Sequence, residues 1–169
     1  GFYRYLMVRS LCTMNPFGRI EGNNRYRRLP ETLDRETIVR ILSFDIHDFE
    51  SLRDSMMFHL FYSTGCRLSE LLDANVDDLE LADERLLVRG KGKRQRYVFL
   101  NPSTVRMLER YLPQRRLMVA SKGTSSDSDR RALLVGSRGK RLSVSSVHSI
   151  FGKYRKLLGI VGRFTPHMV

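Results

Sequence analysis

The chain has 169 residues, 41% of them hydrophobic, with a net charge of +12, enough for one packed domain or one domain plus part of another. No apolar run approaches the ~20 residues of a membrane span, and no charged-apolar-small leader opens the chain. The two cysteines, Cys12 and Cys66, are far apart, lack metal-ligand spacing and fit a reduced, cytoplasmic protein.

The charge is unevenly spread. Residues 31–84 carry 14 acidic and 4 basic side chains, whereas residues 85–169 carry 20 basic and 3 acidic ones. Together with a pI near 10.3, this asymmetry points to a polyanionic partner. Nucleic acid fits better than a membrane surface, because no basic helix has a strongly apolar opposite face. A solvated basic surface is the plainer alternative.

In chain order, residues 2–12 read as the end of a helix that Asn15-Pro16-Phe17-Gly18 breaks. Residues 18–31 are polar and basic, with Gly22, Asn23 and Asn24, a linker signature that places a domain boundary near 20–29. Asp34 is an N-cap candidate for a helix over 35–44, with Ile38, Ile41 and Leu42 inward. A second helix is expected over 49–63, burying Leu52, Met56, Leu60 and Phe61, with Gly65 as its C′ residue. A short helix over 67–74 follows. Residues 86–89 and 97–100 are strand-like and flank Gly90-Lys91-Gly92-Lys93-Arg94-Gln95-Arg96, a hairpin with a basic, glycine-bearing turn. Asn101-Pro102 opens a helix striped by Val105, Leu108 and Leu112. Residues 121–131 read as a flexible surface loop, and Leu133-Leu134-Val135 as a third strand. Ser143 caps a last helix to about 158, with Val144, Val147, Phe151, Tyr154 and Leu158 on one face and Gly159 closing it.

Three positions carry candidate chemistry. Arg67 follows the helix-ending Gly65 and starts a new helix from a tight turn, where a guanidinium can grip a phosphate bidentately. Glu70, one turn on, can orient it, although an ordinary surface pair has the same spacing. Lys91 lies between two glycines and can protonate a leaving oxygen, or simply touch a nucleic-acid backbone. No Ser or Thr follows this lysine and the upstream glycine of a P-loop is missing, so a nucleotide cradle is not expected. His167 follows Thr165-Pro166, where it can shuttle protons or be an ordinary exposed histidine. His47, His59 and His148 share no ligand spacing, so neither a metal nor another cofactor is expected.

Taken together, TGCRLSEL, LLVRGKGKRQRYVFL, LLVGSRGKRLSVSSVHSIFGKYRKLLGI and TPHMV resemble, in that order, the motifs of a tyrosine recombinase (lambda-integrase-like) catalytic domain of the Xer type. The resemblance implies an α+β, mainly helical fold with a small three-stranded antiparallel sheet. It implies that residues 1–25 end an N-terminal core-binding (SAM-like) domain and its linker, and that 26–169 are a partial catalytic domain. Arg67 matches the first catalytic arginine, Lys91 the hairpin lysine that protonates the leaving 5′-oxygen, His167 the histidine of the His-x-x-Arg box, and Glu70 a supporting acid. Lys93, Arg94, Arg96, Lys140, Arg141, Ser145, His148 and Lys153 are the expected DNA contacts.

The implied activity is strand exchange on double-stranded DNA through a 3′-phosphotyrosine, without metal or ATP, by protomers that assemble as a tetramer on two sites. Val169 stands where the family usually has leucine. The second arginine, the later His or Trp and the nucleophilic tyrosine are not in the sequence, and none of the seven tyrosines occupies the nucleophile position. The expectation is therefore a fragment lacking the nucleophile and inactive by itself; the alternative is a DNA-binding module without chemistry. The motifs leave open whether the target is a chromosome-dimer site or a mobile element.

Overall fold

A computed structural model describes residues 2–17, 32–90, 92, 94–123, 126–166 and 168. The chain divides into two compact units, Gly1–Pro30 and Glu31–Val169. The first contains α1 (Phe2–Val8), none of whose residues is buried, and a ring contact between Tyr3 and Phe17 at 5.3 Å. The linker expected over 18–31 lies outside the described residues.

The second unit opens with α2 (Arg35–Leu42), where the Asp34 carboxylate accepts from the Thr37 amide at 2.7 Å. This satisfies one of the amides that a helix start leaves without a partner. Next, α3 (Phe49–Thr64) is capped by Asp48 and Ser51 in reciprocal fashion. The sequence suggests a single buried stripe on α3, yet every residue from Ser51 to Phe61 is buried. It is the central helix, enclosed by α2, by α5 (Pro102–Ser121) and by aromatic rings from later in the chain. Phe58 meets Phe151 at 5.1 Å and Phe164 at 5.8 Å, and Phe151 meets Phe164 at 4.6 Å. Phe164 thereby anchors the segment leading to Thr165-Pro166 in the core.

Gly65 ends α3 in the left-handed conformation (φ 57°), and its amide donates to the Phe61 carbonyl. The turn that this glycine permits delivers α4 (Leu68–Asp73), with Arg67 as N-cap. The sheet follows: β1 (Leu79–Glu80), β2 (Arg85–Arg89) and β3 (Gln95–Phe99), antiparallel and in that order. Arg89 pairs with Gln95 and Arg85 with Phe99, so the hairpin lies where the alternation placed it. Leu86, Val88 and Val98 point into the core.

A three-stranded antiparallel sheet is present, but its third member is Leu79–Glu80 and not 133–135. Leu133, Leu134 and Val135 are buried on all sides. They are apolar because the core encloses them, and this stretch makes only isolated bridges, Asn75 to Ala132 and Val135 to Arg141. The two-residue β1 is too short to show an alternating pattern.

Asn101 caps α5 by accepting from Thr104 at 2.8 Å. The 121–131 stretch is not all loop, since Asp127–Arg131 form α6. Ser143 caps α7 (Val144–Leu157), whose inward face is Val147, Ile150, Phe151 and Tyr154. Val144, the first residue of the helix, is exposed rather than inward, while Ile150 completes the face. No helix among the described residues is long and apolar enough to cross a membrane.

Candidate active site

The local order of the site begins at Glu70. Its side chain is 2% exposed, and its carboxylate accepts four hydrogen bonds. The Arg67 amide donates to Oε2 at 2.9 Å and Arg67 Nη1 to Oε1 at 3.0 Å. Arg96, on β3, donates bidentately at 2.9 and 2.8 Å. A carboxylate offers about four lone-pair sites, so its acceptor capacity is filled. Arg96 foremost, with the Arg67 amide and guanidinium, holds the carboxyl down to about 2 against the opposing effect of burial. Glu70 is therefore a fixed anion and not a proton carrier near neutrality.

The Arg67 side chain is 69% exposed, with one nitrogen bound by Glu70 and the remainder turned to solvent. A guanidinium tethered on one edge and open on the other is preorganised for a phosphate. The neck of the hairpin closes against the same carboxylate. The Gly90 amide donates to the Arg94 carbonyl at 2.8 Å, and a Cβ on Gly90 would lie 3.2 Å from Glu70 Oε1. Glycine at 90 thus lets the hairpin backbone at this position approach the Glu70 carboxylate closely. Lys91, Lys93 and His167 themselves lie outside the described residues.

The remaining expected DNA contacts differ in their freedom. Arg94, Lys140, Ser145 and His148 are exposed. Ser145, His148 and Lys153 stand on α7, which packs against α4 and contains no acidic residue. Lys153 is half-exposed, 3.6 Å from Asp54 Oδ2 and 5.0 Å from the centre of the Tyr154 ring. Asp54 is buried beside Arg53, and burial pushes its carboxyl above the usual carboxylate range against the pull of Arg53. Arg96 is committed to Glu70, and Arg141 to three backbone carbonyls and the Asn75 side-chain oxygen. Sequence reading missed the Arg96–Glu70 pairing. The two residues are separated by 26 positions, and only the fold of the hairpin onto α4 joins them.

A pH dependence follows from Glu70. Its folded-state value lies below its ordinary 4.5, so its contribution to stability is complete above about 4.5 and is lost as pH falls through about 2. The thermal midpoint should therefore drop across that window, and Glu70→Gln should make the drop shallower. Some slope will persist from Asp34 and Asp48, held low by the backbone amides of Thr37 and Ser51. Equal slopes in the two proteins would show that Glu70 is not ionically engaged.

Residues 31–169 match the model of the phage integrase family. The chain belongs to that family. Among curated relatives, tyrosine recombinase XerC of Thermodesulfovibrio yellowstonii is 32% identical over 168 residues, covering 99% of this chain and 55% of that protein. XerC of Pseudomonas fluorescens is 36% identical over 148 residues, covering 87% of this chain and 47% of its own length. The chain thus spans about half the length of the curated relatives it matches. Among solved structures, XerA recombinase aligns with a TM-score of 0.67 at 24% identity over 88% of this chain and 49% of that one. XerH bound to a palindromic difH substrate, in a post-cleavage complex, aligns at 0.69 with 20% identity over 87% of this chain and 42% of that one. The integrase family read from the motifs is the family found, the curated relatives above are of the Xer type, and the fold is shared with the solved XerA and XerH recombinases.

Proposed function

We propose that the full-length integrase is a site-specific recombinase of the Xer type. It would cut and rejoin double-stranded DNA through a 3′-phosphotyrosine. The observation that carries this reading is the half-free guanidinium of Arg67, locked by a carboxylate whose acceptors are filled. Arg67 binds the scissile phosphate, Lys91 protonates the leaving 5′-oxygen, and His167 acts as acid, base and phosphate ligand. A pentacoordinate phosphorane-like state carries more negative charge than the ground state, so cations placed in advance stabilise it selectively. The covalent intermediate conserves the energy of the phosphodiester, so no nucleotide is consumed. That XerH is solved bound to its difH substrate supports action on DNA; the protomers would act together, as a tetramer on two sites.

The test is a nicked suicide duplex carrying the site recovered by selecting bound duplexes from a random pool. The full-length protein should form a covalent adduct visible on a denaturing gel. Binding without any adduct would instead favour a module without chemistry.

Binding itself should be strongly salt-dependent. With about five phosphates contacted by groups such as Arg67, Lys93, Arg94, Lys140 and Lys153, log K should fall against log salt with a slope of roughly −4 to −5. A filter-binding or anisotropy titration returning a slope near zero would remove the electrostatic basis of the reading.

A further inference from the structure

Arg141 belongs to the strongly basic half of the chain, and its charge alone would place it on DNA. Its surroundings contradict that. Arg141 Nη1 donates to the Leu72 carbonyl at 2.6 Å and to the Ala74 carbonyl at 3.1 Å. Its Nη2 donates to Asn75 Oδ1 at 2.6 Å and to the Ser128 carbonyl at 2.9 Å. Each terminal nitrogen of a guanidinium carries two N–H groups. All four are therefore committed, and none is left to form the two-pronged grip by which arginine binds phosphate.

The backbone of Arg141 is equally fixed. Its amide donates to Asp129 Oδ1 at 2.8 Å, and the residue bridges to Val135. One residue thus ties together the end of α4, the turn at Asn75, α6 and the 132–142 segment, which is buried over 132–135. The tie matters because of what α4 carries. This helix has six residues and spans about 9 Å. A helix so short has little stability of its own, and tertiary contacts set its position. Arg67 and Glu70 lie at its start, and Arg141 donates to the Leu72 and Ala74 carbonyls at its end. Leu71 and Leu72 are buried between the two holds.

We infer that Arg141 is a positioning residue for Arg67, acting through α4 by binding the carbonyls at its C-terminal end, and not a DNA contact. The inference rests on the recombinase reading above. In the free protein, Glu70 aims the Arg67 fork sideways, and Arg141 fixes how far along the α4 axis that fork stands. Lysine cannot replace it, because a single ammonium cannot span the same acceptors from three segments.

The test uses the full-length protein and the nicked suicide duplex, measuring single-turnover cleavage against DNA concentration. Wild-type cleavage tests the recombinase reading, since a protein without adduct fails at that first step. Arg141→Lys should cut the rate at saturating DNA by about 10- to 100-fold, the scale of a misplaced catalytic group. The half-saturating DNA concentration and the salt slope should not change. Asn75→Ala removes one of the four acceptors and should produce a smaller fall of the same kind. It keeps the question answerable if Arg141→Lys proves too unstable to assay.

Two results would overturn the inference. One is weaker binding by Arg141→Ala, with the salt slope reduced by about 0.9 and the saturated rate intact, which marks a phosphate contact. The other is a lowered thermal midpoint in both variants with an unchanged saturated rate below it, which marks a role in folding alone.

Discussion

Arg67→Ala is expected, on the recombinase reading proposed above, to lower the single-turnover rates of cleavage and of religation together in the full-length protein. Both directions pass through the same pentacoordinate phosphate, so one lost donor removes the same stabilisation from each. Loss of one preorganised donor to a developing oxyanion commonly costs about 2.7–4 kcal/mol, or roughly 10²–10³ in rate. The upper part of that range is expected here because the guanidinium is already held. Its amide and Nη1 are bound to Glu70, and Glu70 is bound bidentately by Arg96, so little reorganisation accompanies phosphate binding. Arg67→Lys should recover little, because an ammonium cannot occupy Glu70 on one edge and present two parallel donors on the other. A loss confined to DNA affinity, with both saturated rates intact, would show that Arg67 serves the ground state only.

Much of this arrangement was legible because it is local. The Asp34 carboxylate accepts from an amide three residues away, and Gly65 ends the helix that contains the carbonyl its amide bonds. Arg67 and Glu70 are likewise three apart, so the pair was visible as a spacing. What stayed hidden depends on distant partners. Arg141 reaches carbonyls up to 69 positions away, and nothing in GKRLS distinguishes an arginine that staples backbone from one that binds phosphate. Arg96 was hidden for the same reason. The composition of 133–135 was misleading in its own way, since burial on every side produces the same apolar run as a strand. The candidate residues for the chemistry, and Glu70 beside Arg67, were read from motif and spacing, whereas Arg96 and Arg141 came only from the fold.

Lys91→Ala should slow cleavage by about 10²–10⁴, the usual contribution of general acid catalysis. The reason is the leaving group. An alkoxide departing from phosphorus needs a proton, and Lys91 follows in sequence on Gly90, whose backbone lies against Glu70. The decisive comparison replaces the bridging 5′-oxygen with sulfur. A thiolate leaves without a proton, so the thio-substrate should restore most of the rate to Lys91→Ala. It should restore little to Arg67→Ala, whose contribution is charge on the non-bridging oxygens and is needed whichever atom departs. The two variants thus separate two roles that a rate measurement on ordinary DNA would merge. Should sulfur fail to rescue Lys91→Ala while wild type cleaves both substrates, Lys91 is a phosphate contact. The acid then lies elsewhere, and Lys93, two positions on in the sequence, is the next to replace.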